Sequence, residues 1–285
     1  MVKERMPLGV FTSAGAGLGA AINKVLELGV NTVQLHAGGD RSRGRARQIA
    51  DEFSEAGVAI TLVFCGFPGE RYDTIPVVRE TVGLVPPATR AERVQQTKEI
   101  ADFAAELDAP GIGIHVGFIS EDRDSPEFAQ VVDVLCDVAD HCAKLGLTMN
   151  LETGQETADT LLHVLQTADR PNLFVNFDPA NMILYGSGEP LEALNKVGRY
   201  VRSCHCKDAT WSSRPGVDWG AEVPLAKGDV NIERFVATLN RLGYAGALTI
   251  EREVSGERQL TDIRAGIKLL KEIKAKLKIG TKSEG

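Results

Sequence analysis

"LTMNLETGQETADTLLHVLQTADRPNLFVNFD" (147–178) reads as one strand–helix–strand unit. Two short extended runs, LTMNLE (147–152) and LFVNFD (173–178), flank TADTLLHVLQTA (157–168), whose apolar residues recur at helical spacing. Each run ends on an acid, Glu152 or Asp178. A helix between two strands is the connection that parallel strands require.

Outward from this unit the alternation continues in both directions. Strands are predicted at LGVFT (8–12), NTVQLH (31–36), VAITLVF (58–64) and IGIHV (112–116) before it, and at VRSCHC (201–206) and ALTIE (247–251) after it. Helical patterns lie between them, at 20–29, 90–108, 127–146, 232–243 and 260–277, and several close on Leu-Gly, as a glycine C-cap would. Eight such repeats fit a single (β/α)8 TIM barrel, typically about 250 residues long. The competitor is a doubly wound open sheet, which should carry a glycine-rich phosphate turn after its first strand. SAGAGLGA (13–20) is the candidate turn, and its glycines do not fit G-x-G-x-x-G. With no linker in view, residues 1–285 read as one domain, with a short polar tail from about 278.

Composition narrows the function classes. Of 285 residues, 43% are hydrophobic and 25% charged, ordinary for a globular chain with a real core. A net charge of −7 with no basic stripe argues against nucleic acid, whose binding needs phosphate neutralisation. Five cysteines, an odd number at low density, suit a reduced protein. The first residues lack the roughly 7 to 15 residue apolar core of a signal peptide. No run approaches the roughly 18 residues of a membrane span. The expectation is a cytoplasmic protein with a small-molecule partner and no membrane; a homo-oligomer stays open.

In such barrels the reacting groups sit at the C-terminal ends of strands, and a period of two separates interior from helix-facing positions. On that phase Thr148, Asn150 and Glu152 point inward, as do Asn176 and Asp178, and Thr249 and Glu251. VRSCHC (201–206) poses a choice between a thiolate metal site and a lone histidine. The pleat turns Ser203 and His205 inward and Cys204 and Cys206 toward the helices, where free thiols pack as small hydrophobes. The inward terminal residues are therefore Glu152, Asp178, His205 and Glu251, each with a small polar residue two positions earlier.

Three carboxylates converging without a cation repel one another. One divalent metal relieves this, and the polar layer beneath can orient the ligands. Three oxygens and one imidazole suit a fairly hard ion, Mn²⁺ first, with Co²⁺, Mg²⁺ or Zn²⁺ also compatible. The bland alternative is a set of solvated strand-end groups; four at matching positions favour the metal. Candidate substrate contacts are Gln34 and His36 at the end of the second strand and His115 at the end of the fourth. Glu156, Lys207 and Arg252 are expected in loops over the mouth, with Glu222 and Lys227 as rim charges. His141 and His163 fall inside helical patterns, and the Arg-rich RSRGRARQ (41–48) begins a surface helix.

NLETGQET (150–157), NFDPANM (176–182), CHCKDA (204–209) and EVPLAKGDV (222–230) with GYAGALTIERE (243–253) resemble the sugar phosphate isomerase/epimerase group of the xylose-isomerase-like barrels. That resemblance implies one divalent ion, often Mn²⁺, on Glu152, Asp178, His205 and Glu251, with the two glutamates also forming the acid/base pair. It implies isomerisation or epimerisation of ketoses, their phosphates or inososes, with dehydratases and related lyases nearby. One departure matters. Ketose 3-epimerases commonly carry a substrate-binding histidine three residues after the aspartate, and Asn181 stands there instead. It still offers hydrogen bonds but no charge. The apurinic endonuclease branch, with its trinuclear zinc and many histidines, fits poorly to a chain with five. The expected reaction is proton transfer next to a metal-bound carbonyl. Elimination of a β-leaving group, a metal-assisted hydrolase and a non-catalytic sugar-binding barrel are the alternatives.

Overall fold

The computed structural model describes residues 4–14 and 22–280. Most of the glycine-rich 13–20 stretch and the end of the polar tail lie outside them. The elements run β1 (Leu8–Ser13), α1 (Ile22–Leu28), β2 (Thr32–His36), α2 (Arg43–Glu55), β3 (Ala59–Phe64), α3 (Ile75–Thr81), α4 (Pro87–Glu106), β4 (Gly111–Ile114) and α5 (Pro126–Lys144). They continue with β5 (Thr148–Glu152), α6 (Ala158–Ala168), β6 (Leu173–Phe177), α7 (Pro179–Tyr185), α8 (Pro190–Val197), β7 (Val201–Cys206), a hairpin β8 (Asp208–Thr210) and β9 (Ala221–Val223), α9 (Ile232–Arg241), β10 (Leu248–Ile250) and α10 (Gly256–Lys276).

The parallel strands close in the order β1-β10-β7-β6-β5-β4-β3-β2, so the molecule is a single (β/α)8 TIM barrel. Closure leaves no barrel edge to template another strand. All eight strands expected from the sequence form, within a residue or two of their predicted ends. The helix-facing phase carries Val63, Ile112, Met149, Leu151, Val175 and Phe177, all essentially fully buried in the main core. Cys204 and Cys206 sit in that same layer, buried and free. Three expected glycine stops are present: Gly29, Gly146 and Gly243 follow α1, α5 and α9 at φ of +68°, +73° and +81°.

Inside the barrel, β3 and β4 meet as large against small. A Cβ on Gly113 would lie 2.5 Å from the Phe64 ring and 2.7 Å from Leu62. The missing side chain on β4 is thus the space that Phe64 occupies. Phe11 and Phe64 meet edge to face at 5.6 Å and both pack against the His205 ring. They form the apolar side of the barrel mouth.

Helices α3, α7 and α8 and the β8–β9 hairpin are absent from the sequence reading. PANMILY (179–185) is buried all round, so its helix α7 shows no polar face. The β8–β9 hairpin has only three residues a strand. Ser42 caps α2, so the Arg-rich stretch begins a helix as expected; residues 41–48 are largely exposed apart from Ala46, and the helix is anchored by Ala46, Ile49 and Phe53.

Candidate metal and active site

The ladder between strands arranges the four inward residues as a staircase. Glu152 is level with Asn176, Asn176 with Ser203, and His205 with Thr249. Glu152 and His205 therefore each stand beside a neighbouring strand's small polar residue, as strand tilt in a closed barrel requires. The stagger brings the side chains together: one ligand atom from each of Glu152, Asp178, His205 and Glu251 lies within 4.8 Å of all the others. Glu152, Asp178 and His205 are buried, and Glu251 is partly open.

Three carboxylates crowd one imidazole nitrogen. His205 Nδ1 is 2.8 Å from Glu152 Oε1, 3.3 Å from Glu251 Oε2 and 3.4 Å from Asp178 Oδ2. The opposite nitrogen, Nε2, lies 2.7 Å from Gln34 Oε1. Gln34 is itself oriented, since its Nε2 donates to Asn176 Oδ1 at 3.1 Å. Its oxygen must face the ring, so His205 Nε2 is the donor. With Nε2 donating to Gln34, Nδ1 is the nitrogen that faces the three carboxylates: in the protein alone a proton there satisfies them, and once that proton is released its lone pair is placed for a cation.

Two ligand oxygens support the same conclusion. Glu152 Oε2 and Asp178 Oδ2 are buried and accept no hydrogen bond of good geometry; the charged groups near them are His115 at 3.1 Å from the first, and His205 at 3.4 Å and Lys207 at 3.8 Å from the second. The other Asp178 oxygen caps α7, accepting from Asn181 N at 2.9 Å. Unpartnered buried carboxylate oxygens are costly unless something else satisfies them. One imidazole and three carboxylates suit a hard or borderline divalent ion. In the protein alone, burial opposes the His205 cation, yet Glu251 and Glu152 outweigh it and hold the ring well above the ordinary histidine range. Burial likewise opposes ionised Glu251, but Lys207 and His205 win and keep it well below the usual carboxylate range.

The quartet opens into a cavity of about 650 Å³ at the C-terminal mouth, lined by both glutamates together with Phe11, Phe64, Tyr72, Tyr185 and Trp219. A larger cavity of about 750 Å³ lies at the other end of the barrel beside α2, and none of the four lines it.

The remaining candidates divide into two groups. His36, His115 and Asn181 line the mouth cavity. His115 Nε2 stands 3.1 Å from Glu152 Oε2, and Asn181 Nδ2 donates to Glu152 Oε1 at 3.2 Å. Burial lowers the His36 pKa.

Gln34, Glu156, Lys207 and Arg252, expected at the substrate, do not line that cavity. Gln34 lies beneath it, engaged with His205 and Asn176. Lys207 is 1% exposed rather than over the mouth; it donates to Glu251 Oε2 at 3.0 Å and Asn181 Oδ1 at 3.2 Å, and also to Glu253. Arg252 turns to the outer side, between Glu222 at 2.9 Å and Asp262 at 3.0 Å. Glu156 is buried against a neighbouring cavity, both oxygens without a partner, and burial pushes its carboxyl up to about 8. His141 and His163 are on α5 and α6, with His141 beside Asp102, as expected of helix-face residues.

The family model for the xylose isomerase-like TIM barrel matches residues 22–273. The chain belongs to that family. A search of curated proteins gives no match. Among solved structures, a xylose isomerase domain protein from Planctomyces limnophilus is 47% identical, with a TM-score of 0.93 over 96% of this chain and 99% of that one. A D-tagatose 3-epimerase-like protein is 20% identical, with a TM-score of 0.75 over 96% and 98%. A xylose isomerase-like TIM barrel protein from Mycobacterium smegmatis in complex with magnesium is 16% identical, with a TM-score of 0.68 over 95% and 97%. The last two establish likeness of fold. Among the described residues, no helix is long and apolar enough to cross a membrane.

Several residues of the xylose isomerase-like site escaped the sequence reading. Phe11 and Phe64 pair with Gln34 and His36 across the strands, so the period of two already placed them inward. Lys207 was named as a loop residue over the mouth, and its parity with His205 points instead to the inward position it takes. Tyr72, Tyr185 and Trp219 come from loops and a short helix, where no periodicity announces them. Asp208 has a scaffolding part: its carboxylate accepts from the backbone N–H groups of Ala209, Gly228 and Val230.

Proposed function

We propose that this protein is a divalent-metal-dependent isomerase or epimerase of a keto-sugar, acting by proton transfer at a carbon next to the carbonyl. The observation that carries the reading is the pair Glu152 and Glu251, from β5 and β10, facing one cavity as members of a single convergent quartet. Glu152, Asp178, His205 and Glu251 would hold the ion, most naturally Mn²⁺, with Co²⁺, Mg²⁺ or Zn²⁺ as compatible substitutes. When bound, a divalent ion supplies Lewis-acid stabilisation of the negative charge that forms on the substrate oxygen.

The chain's own residues supply the rest. One glutamate carboxylate takes the carbon-bound proton, and the other, as its acid, returns one from the opposite face. Lys207 and Asn181 hold the two carboxylates through the bonds already described, so neither must reorganise during transfer. The aromatic wall restricts water around the reacting carbon. Return at the same carbon gives epimerisation, and return at its neighbour gives isomerisation.

The test is turnover of a panel of keto-sugars in D₂O with added Mn²⁺. Deuterium at the carbon next to the carbonyl is the expected result. Product formed with no solvent deuterium at any carbon would mean hydride shift and end the two-glutamate mechanism. Binding with no turnover anywhere in the panel would favour a sugar-binding barrel.

A further inference from the structure

The mouth cavity has an uneven charge. Glu70, Glu152, Glu222, Glu251 and Glu253 all line it, and among the described lining residues there is no lysine or arginine. The cations nearby are committed elsewhere. Lys207 is buried among Glu251, Glu253 and Asn181. Arg252 is shared by Glu222 and Asp262. Arg41 and Arg45 donate to the backbone oxygens of Gly38 and Ala14, and Arg79 lies over the Phe118 ring at 4.0 Å.

A bound divalent ion together with Lys207 would balance the three ligand carboxylates, leaving Glu70, Glu222 and Glu253 around the remaining space. Arg252 offsets Glu222 in part. Glu253 is the most accessible of the three, its side chain 59% exposed. The other walls are aromatic: Phe11, Phe64, Tyr72, Tyr185 and Trp219. Tyr185 and Trp219 pack at 4.6 Å between ring centroids. Aromatic faces suit the C–H faces of a sugar, and carboxylates accept hydrogen bonds from hydroxyls. The same carboxylates oppose a second anion, because like charges brought together in a partly desolvated site are strongly disfavoured.

We infer that the site takes an uncharged keto-sugar and discriminates against phosphate esters and sugar acids. This rests on the reading above that the cavity processes a keto-sugar, and it fixes the substrate class within that reading. A sugar hydroxyl can donate to the carboxylates, whereas a phosphate meets five of them, with no lysine or arginine among the described lining residues and the His36 and His115 rings as the titratable nitrogen groups.

The experiment has two arms on the Mn²⁺-loaded protein at neutral pH. The first compares deuterium incorporation from D₂O into free ketohexoses and into their terminal phosphate esters. The free sugar should win by at least about a hundredfold in kcat/KM. An ester turned over equally well or better overturns the inference. Incorporation into neither ends the functional reading instead, and the second arm then decides the inference alone. It measures calorimetric binding of a hexitol and its phosphate ester, with inorganic phosphate as a control for chelation of the ion. The hexitol should bind at least about tenfold more tightly. Tighter or equal binding of the ester, or no binding of the hexitol, overturns the inference. Glu253→Gln should narrow the discrimination about three- to tenfold; an unchanged ratio would remove the acidic wall as its cause.

Discussion

Glu152 and Glu251 differ in how they are held, and each should prove indispensable. Glu→Gln keeps shape and removes the base, so each single variant should lose turnover at least about a hundredfold, measured as solvent deuterium entering product. Gln34 acts at one remove, through the His205 tautomer. Gln34→Leu should weaken Mn²⁺ binding roughly 10- to 100-fold, by calorimetric titration of the folded variant, and unchanged affinity would dismiss the tautomer argument. Glu156 makes a stability prediction with a definite sign. Its carboxyl is raised from the ordinary value to about 8, so the folded state binds a proton that the unfolded chain releases. Its contribution is intact below about pH 4.5 and is lost progressively as pH rises toward 8. Glu156→Gln should therefore gain stability over wild type by roughly 1–3 kcal/mol at pH 8, and little at pH 4.5, in urea titrations at the two pH values. The quartet was legible because parity along a strand is a one-residue rule. Glu156 and Arg252 were not, because each leaves its strand and no local rule fixes where a side chain after a strand end turns.

The β7 strand tests the register directly. Its pleat turns Ser203 and His205 into the barrel and buries Cys204 and Cys206 against the helices. A double Cys→Ala variant should keep its metal while losing roughly 1–2 kcal/mol from the two packing defects. Loss of metal from a variant that still folds would overturn the register. Elements with strong alternation or amphipathic spacing, such as β5, β6, α5 and α6, could be read from sequence because half their residues are apolar in phase. PANMILY and the β8–β9 hairpin could not: the first is buried on every side, and the second is too short to repeat a pattern. Both carry site residues. Tyr185 and Asn181 ride on α7, and Trp219 and Glu222 sit in and beside the hairpin. Asn181, Glu222, His36 and His115 were already candidates, so what the sequence concealed is the aromatic part of the wall.

At the scale of the whole barrel, ion binding and folding must be linked, since the four ligands come from four different strands or strand ends. At a free Mn²⁺ concentration about a hundred times Kd, the folded state should gain about 2.7 kcal/mol. Thermal midpoint should rise by roughly 5 °C or more, and chelator should reverse it. A midpoint indifferent to both would leave the quartet as mere barrel filling. Asp178 makes this linkage uneven. One of its oxygens ends the helix α7 and the other faces the ligand cluster. A carboxylate drawn toward an ion is also a cap set in its best orientation, so order should spread from the ion into the seven residues of α7, which join the cluster through their cap Asp178 and through Asn181. The amide protons of α7 should then exchange with solvent more slowly in the loaded protein, more so than those of α6, whose cap Thr157 belongs to no such cluster. The helix that brings Tyr185 to the wall is already capped in the protein alone and would be held more firmly when an ion arrives, which makes the stiffness of the pocket a readout of its occupancy.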